Sequence, residues 1–333
     1  MKIIEINNIS RTFERVKIDE GLFNSFKSLF KREKVKVQAL KDISFTITEG
    51  KIVGLIGANG AGKSTLIKAM VGLIKPSAGS IKINGFNPHE KKKEFLRSIG
   101  VVLGQKNQLW WDLSPYETFL LHKEIYELSD QEFNKNVNEL AERLGVVGIL
   151  KSPVRNLSLG ERMKCELIAS ILHSPKILFL DEPTIGLDFL AQKNIRAFLK
   201  EYCREKKTTV IITSHYFPDI YELCESLIIL KEGEIAYNDD FSKLKKEIEN
   251  YCYISLNFET EIKPDGLSVY GEIQDSDKNS VTIKVQASLV NETITKLMNE
   301  YKIIDYSLKD MTSQDLIEEI YSKQKISEVR ATV

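Results

Sequence analysis

The stretch "IVGLIGANGAGKST", residues 52–65, is the tightest constraint on what this chain can fold into. Residues 52–56 read as an apolar strand, and residues 66–71 continue as an apolar helix. Between them Gly57, Ala58, Asn59, Gly60, Ala61, Gly62, Lys63 and Ser64 satisfy G-x-x-x-x-G-K-[ST] in the strand–loop–helix context that the pattern requires. The glycines let the backbone wind tightly and aim N–H groups at a phosphate. Lys63 is placed to neutralise β- and γ-phosphates, and the hydroxyl of Ser64, followed by Thr65, suits a magnesium ion. A plain glycine turn beside a solvated lysine is the rival reading, and a complete match in context argues against it. This is a nucleoside triphosphate site on an α/β sheet.

Two more strands end in polar residues of the right kind. In "KILFLDEPTIGLD", residues 176–188, a buried-type strand ends at Asp181 and Glu182, where α/β sheets place their ligand sites. Asp181 fits a role in holding magnesium, and Glu182, one residue on, suits polarising an attacking water. Alone, the pair would read as two solvated acids. In "TTVIITSHYFPDI", residues 208–220, a third apolar strand ends at His215, whose imidazole could bond a γ-phosphate or the attacking water.

The stretch "NLSLGERMKCELIASILHSP", residues 156–175, opens with a capping box, Ser158 with Glu161 three residues later, ahead of an apolar-periodic run. A serine and free N–H groups at a helix N-terminus would also suit a phosphate held elsewhere.

Composition narrows the class. Lys plus Arg and Asp plus Glu number 47 each, so no basic field recommends nucleic acid as a partner. No apolar run approaches the roughly 20 residues that cross a bilayer, so a cytoplasmic protein with at most a peripheral membrane role is expected. The four cysteines lack CxxC spacing and read as buried thiols.

The phosphate loop, "LSLGER", "LFLDEP", "GLD" and "SHY" follow one another in the order and spacing of ATP-binding cassette (ABC) ATPases. The chain resembles that family from residue 1 to about 244. The resemblance implies an α/β fold of the P-loop NTPase type: a RecA-like core, an antiparallel β subdomain and a helical subdomain over about 106–173. The cassette is expected over 1–245, interrupted by an insertion at about 14–37. It implies ATP and Mg²⁺ as ligands and a head-to-tail dimer. There Ser158, Gly160 and Glu161 would act on ATP held by Lys63 of the other copy. Gln105 would sense the metal, Phe13 would stack on adenine, and Asp188 would tie one site to the other. The family's usual Leu-Ser-Gly-Gly-Gln is altered here: Leu159 replaces a glycine and Glu161 the glutamine. Leu159 is compatible with function if its φ is negative.

"NQLWWDLSPYE", residues 107–117, carries both tryptophans, Trp110 and Trp111, in a region where such cassettes receive a membrane subunit. Local packing is the alternative. The string resembles type-2 exporter cassettes, so integral-membrane permease subunits are expected to dock near residues 105–117. "EGLFNSFKSLFKREKVKV", residues 20–37, reads as a short amphipathic basic helix, resting on headgroups, on the permease or on its own sheet. From about 246 to 325 a small α+β accessory domain is expected, with strands in "YCYISLNFE", "SVYGEIQ", "SVTIKVQ" and "KIIDYSL" and helices in "LVNETITKLMNEY" and "TSQDLIEEIYSK". Residues 326–333 read as a disordered tail. A soluble ABC ATPase acting on ribosomes or nucleic acid, and an importer cassette, stand as alternatives to an exporter cassette on the inner face of the membrane.

Overall fold

Ile4 and Ile6 alternate along the first strand, Ile9 follows an irregularity at Asn8, whose φ is 50°, and all three isoleucines are buried. β1 (Lys2–Val16) pairs antiparallel with β2 (Lys34–Thr48) on one side and, past the phosphate-loop strand β3 (Ile52–Gly57), with β4 (Ala78–Ile83) on the other. The computed structural model describes residues 1–16, 34–104, 108–214, 216–312, 315–316 and 319–320. Of the basic helix expected over residues 20–37, residues 20–33 lie outside them, as does the tail at 326–333, while residues 34–37 belong to a strand rather than a helix. Residues 14–16, placed in the expected insertion, are also strand.

A second sheet holds β3, β5 (Ile99–Leu103), β6 (Ile177–Asp181), β7 (Thr209–Thr213), β8 (Ser226–Lys231) and β9 (Glu234–Asp240), in the order β5-β6-β7-β3-β8-β9. The pairs β5–β6, β6–β7, β7–β3 and β3–β8 are parallel. β3 and β7 are buried at every position, as strands covered on both faces must be, and their sequences are accordingly apolar without alternation. Both sheets share one core with helix α1 (Lys63–Met70), through Ile4, Leu55, Leu66, Ile67 and Phe179 among others. The two-residue turn between β8 and β9, Glu232-Gly233, has φ of 48° and 85°, which suits a hairpin turn of type I′. Its Gly233 N–H donates to Ala61 O at 3.1 Å and its carbonyl accepts from Lys41 N–H at 2.8 Å, tying the phosphate loop to β2.

Short α2 (Lys93–Ser98) precedes β5, and the segment between β5 and β6 is helical: α3 (Pro115–Tyr126), α4 (Asp130–Leu144) and α5 (Leu159–Ile171). Each of these three starts with a full capping box, from Ser114, Ser129 and Ser158 with Glu117, Glu132 and Glu161. Tyr126 at the end of α3 stacks on His173 just beyond α5, with ring centroids 3.7 Å apart. α6 (Phe189–Lys206) and α7 (Phe217–Leu223) flank β7 in sequence.

The chain divides into compact units Met1–Asp239 and Asp240–Val333. The second therefore begins earlier than the 246 expected from sequence, because α8 (Phe241–Asn250) belongs to it. It continues with β10 (Tyr251–Phe258), β11 (Glu272–Ser276), β12 (Ser280–Gln286), α9 (Val290–Glu300) and β13 (Ile303–Asp310). Its antiparallel sheet has the order β11-β12-β10-β13 over a core of Ile254, Leu256, Phe258, Val281, Ile283 and Leu297. "SVYGEIQ" is only half a strand: Val269 is exposed, and a Cβ on Gly271 would sit 2.5 Å from Lys284 O, so pairing starts at Glu272. All four cysteines are free and buried, and burial pushes the thiols of Cys165 and Cys203 up to about 12.

Candidate nucleotide-binding site

The loop at residues 58–62 is shaped by what its glycines touch. A Cβ on Gly57 would lie 2.6 Å from Leu230 O, and one on Gly62 would lie 2.6 Å from Ala39 O with φ at 107°. Gly60 differs: its φ is 84° with no heavy atom near the missing Cβ, so the backbone angle alone demands glycine there. Ala61 N–H closes the turn on Ala58 O at 3.1 Å. Unlike the three serine-capped helices, α1 begins at Gly62 with no side-chain cap, leaving first-turn N–H groups for an anion.

Lys63 is 7% exposed, and its Nζ donates to Gly57 O at 2.6 Å and Ala58 O at 3.2 Å. Burial lowers its pKa, opposed by the charges of Glu182 and Asp181, which places the acid pair within electrostatic reach of the loop. Ser64 is exposed and Thr65 half-buried in the first turn of α1.

At the end of β6, Asp181 Oδ1 accepts from Thr213 Oγ1 at 2.6 Å. Glu182 N–H donates to Thr213 O at 3.1 Å and Oγ1 at 3.0 Å. Thr213 thereby fixes both acids from β7. Glu182 holds φ at 56°, a left-handed conformation that costs a side-chain-bearing residue about 1–2 kcal/mol and is typical of functional sites.

A buried ionic network lies beyond them. Asp219 on α7 is fully buried; Oδ1 accepts from Arg196 at 2.9 Å, and Oδ2 accepts from Ser214 Oγ at 2.7 Å and from Thr184 Oγ1. Arg196 Nε also bonds Glu222 at 2.9 Å. Sequence reading passed over Thr213, Asp219 and Arg196. Thr213 signals itself only as a polar residue ending an apolar strand, and Arg196 and Asp219 sit among other polar residues with no signal of their own.

The loop at residues 182–188 ends at Asp188, whose carboxylate caps α6 by accepting from Ala191 N–H at 2.8 Å. Ser158 caps α5: its Oγ accepts from Glu161 N–H at 3.3 Å, while Glu161 accepts from Ser158 N–H at 2.9 Å and Oγ at 2.8 Å. Those two bonds, the hydroxyl first, hold the Glu161 carboxyl below the usual range. Leu159 sits in the first helical turn and is not among the positive-φ residues, so the leucine is accommodated where the family has glycine. Gly160 is close-packed, its absent Cβ 3.3 Å from that of Ala191. Phe13 is half-buried in β1, with the Arg11 guanidinium 4.6 Å from its ring centre. Gln105 and His215 lie outside the described residues. Ser64 and Asp181 offer hydroxyl and carboxylate oxygens, hard donors of the kind magnesium takes alongside phosphate oxygens.

A phosphate loop from β3 into α1, with an acid pair ending β6 of a parallel sheet, defines a P-loop nucleoside triphosphatase. Residues 40–185 match the family described as ABC transporter, and residues 251–308 match the family described as EvrA-like ABC transporter, C-terminal domain. The chain is similar to the ABC transporter ATP-binding protein NatA of Bacillus subtilis, 32% identical over 68% of this chain and 93% of that one. It is also similar to the bacitracin transport ATP-binding protein BcrA of Bacillus licheniformis, 32% identical over 66% and 71%. Among solved structures, the dimeric post-hydrolysis ATP-binding cassette MJ0796, bound to ADP and Pi, superposes with a TM-score of 0.58. It is 25% identical, covering 71% of this chain and 98% of its own. The chain belongs to the ABC transporter ATP-binding family: it binds ATP and is an ATPase.

Proposed function

We propose that two copies of this chain pair head to tail around two ATP molecules and drive export through separate integral-membrane subunits. The observation that carries the hydrolytic reading is the gathering of Lys63, just past β3, and of Asp181 and Glu182, ending β6, at the same end of one parallel sheet with β7 and its Thr213 between them. In this reading the N–H groups of residues 58–65 cradle the phosphates, and Lys63 exchanges its loop carbonyls for phosphate oxygens. Phe13 offers its ring to adenine. Ser64 and Asp181 would hold Mg²⁺, with Gln105 beside it; the ion neutralises charge on the phosphates. Glu182 accepts the proton of the attacking water, and His215 bonds the γ-phosphate edge.

Ser158 and Gly160 complete the site of the other copy, and Asp188 couples the two. Ser158 and Leu159 are exposed at the N-terminus of α5, as a group serving another chain must be. Exposed Trp110 and Trp111 anchor the membrane subunit, placing the protein on the inner face of the membrane. Transport accords with the likeness to BcrA, named a bacitracin transport ATP-binding protein, and the direction, export, rests on the resemblance of residues 105–117 and of the C-terminal domain to exporter cassettes.

Glu182→Gln tests the mechanism. Hydrolysis should fall by about 10²–10⁴-fold, the usual worth of a general base, while ATP binding persists and an ATP-bound dimer accumulates on size exclusion. Turnover at the normal rate would remove Glu182 from the role.

A further inference from the structure

The carboxylate of Asp219 is fully buried, and one cationic partner is enough to neutralise it. Arg196 is that partner, through Oδ1 at 2.9 Å. Oδ2 is left over, and it accepts from two hydroxyls that come from different loops. One is Thr184 Oγ1, in the loop at residues 182–188; the other is Ser214 Oγ at 2.7 Å, just past β7. Ion pairs taken out of water stabilise a fold little or not at all against apolar side chains of the same volume. The second oxygen therefore directs attention to what Asp219 positions.

Thr184 lies two residues after Glu182, whose φ of 56° persists only where its surroundings enforce it. Here they do so from both sides. Ahead of it, Thr213 takes the Glu182 N–H on its carbonyl and hydroxyl oxygens. Behind it, Ile185 N–H closes a turn on Glu182 O at 3.3 Å, and Thr184 within that turn is tied to Asp219. Ser214 fixes the other loop. Its Oγ donates to Asp219 and accepts from Tyr216 N–H at 2.9 Å, so the chain is held immediately before and after position 215, where the sequence has His215. Packing alone leaves a gap between the two turns. A cavity of about 260 Å³ is lined by Glu182, Thr184 and Gly186 from one and by Ser214 and Tyr216 from the other.

We propose that Asp219 is a positioning residue of the ATPase. One atom, Oδ2, sets the turn after Glu182 against the turn around position 215, so that base and histidine keep a single spacing. The inference rests on the roles given above to Glu182 and His215.

The test removes the hydroxyls and leaves the Arg196–Asp219 pair in place, so that folding is spared. ATPase rates of the full-length chain are read below the melting temperature of each variant. Thr184→Val should lower kcat about tenfold with KM for ATP within about twofold, the mark of a misplaced group rather than of lost nucleotide binding. Thr184→Ser keeps the hydroxyl and should restore the rate. Ser214→Ala should lose the same factor as Thr184→Val. Thr184→Val/Ser214→Ala should be no slower than either single variant, because one bridge is broken only once; independent defects would multiply to about a hundredfold. Glu222→Gln, which meets Arg196 from the exposed side, should keep the native kcat. Native kcat in both single variants, multiplication in the double, a Thr184→Ser as slow as Thr184→Val, or an equal loss in Glu222→Gln would overturn the proposal. Glu182→Gln separates it from the reading it rests on. Normal turnover there removes the base itself, whereas an inactive Glu182→Gln beside fully active Thr184→Val and Ser214→Ala removes the positioning role alone.

Discussion

Glu166, on the signature helix α5, is 4% exposed, and its carboxyl is pushed up to about 7. Burial is the cause, opposed by Arg162 one turn earlier and by the backbone N–H of Gln108. A carboxyl raised from its ordinary 4.5 holds a proton in the folded chain over a range where the unfolded chain has lost it. Stability therefore declines as pH rises from about 4.5 to about 7, by up to about 3 kcal/mol from this group, and is level above that. Thermal melts from pH 5 to 8 should show the decline in the native protein and a flatter profile in Glu166→Gln. An equal slope in both would mean another group is titrating. Glu161 poses the opposite question. Its carboxylate sits at the N-terminus proposed to meet a phosphate on another chain, and two anions there oppose each other. Glu161→Gln can still accept from Ser158 N–H and loses the charge. ATP-driven dimerisation, followed by size exclusion at rising ATP, should then need less nucleotide than in the native chain.

At the scale of elements, the three capping boxes allow a matched comparison. Ser129→Ala and Ser158→Ala each remove one cap, worth about 1 kcal/mol, and should lower the melting temperature by a similar few degrees. Only Ser158→Ala should also depress ATPase activity; a matching loss in Ser129→Ala would make the effect one of helix stability. The Ser158 box was legible because Ser and Glu lie three residues apart ahead of an apolar-periodic run, and the phosphate loop because its eight residues are contiguous; the boxes at Ser114 and Ser129 carry the same spacing and emerged with the structure. The Asp219 network was not legible. Its carboxylate joins Thr184, Arg196 and Ser214, which stand 35, 23 and 5 residues away, and no periodicity links them. β11 was misjudged for a related reason, the close approach of the Gly271 backbone to β12, which a propensity pattern does not carry. Removing Asp219's charge leaves the buried Arg196 guanidinium to the exposed carboxylate of Glu222, a loss that approaches the roughly 3 kcal/mol of a broken buried pair. Asp219→Asn should thus melt far below the native chain, and a shift of a degree or less would show the network to be dispensable.

At the scale of the whole molecule, the question is what holds the chain at a membrane. No helix among the described residues is long and apolar enough to cross one. Two other features could provide attachment, and salt separates them. Residues 22–34 alternate apolar side chains with Lys27, Lys31, Arg32 and Lys34, and attraction of such a segment to anionic headgroups is screened within about 3 Å at 1 M salt. Trp110 and Trp111 are 62% and 51% exposed, with the Arg162 guanidinium 5.8 Å from the Trp111 ring centre and Arg155 paired to Asp112 at 2.8 Å. Adjacent aromatics rimmed by charge make an anchor for a protein groove, and burial of their rings is not weakened by salt. The native chain, expressed with its membrane subunits, should stay with the membrane fraction through a 1 M salt wash. Trp110→Ala/Trp111→Ala should wash off while keeping native circular dichroism. Release of the native chain by salt alone would assign attachment to the basic segment, and retention of the double variant would take the tryptophans out of the interface.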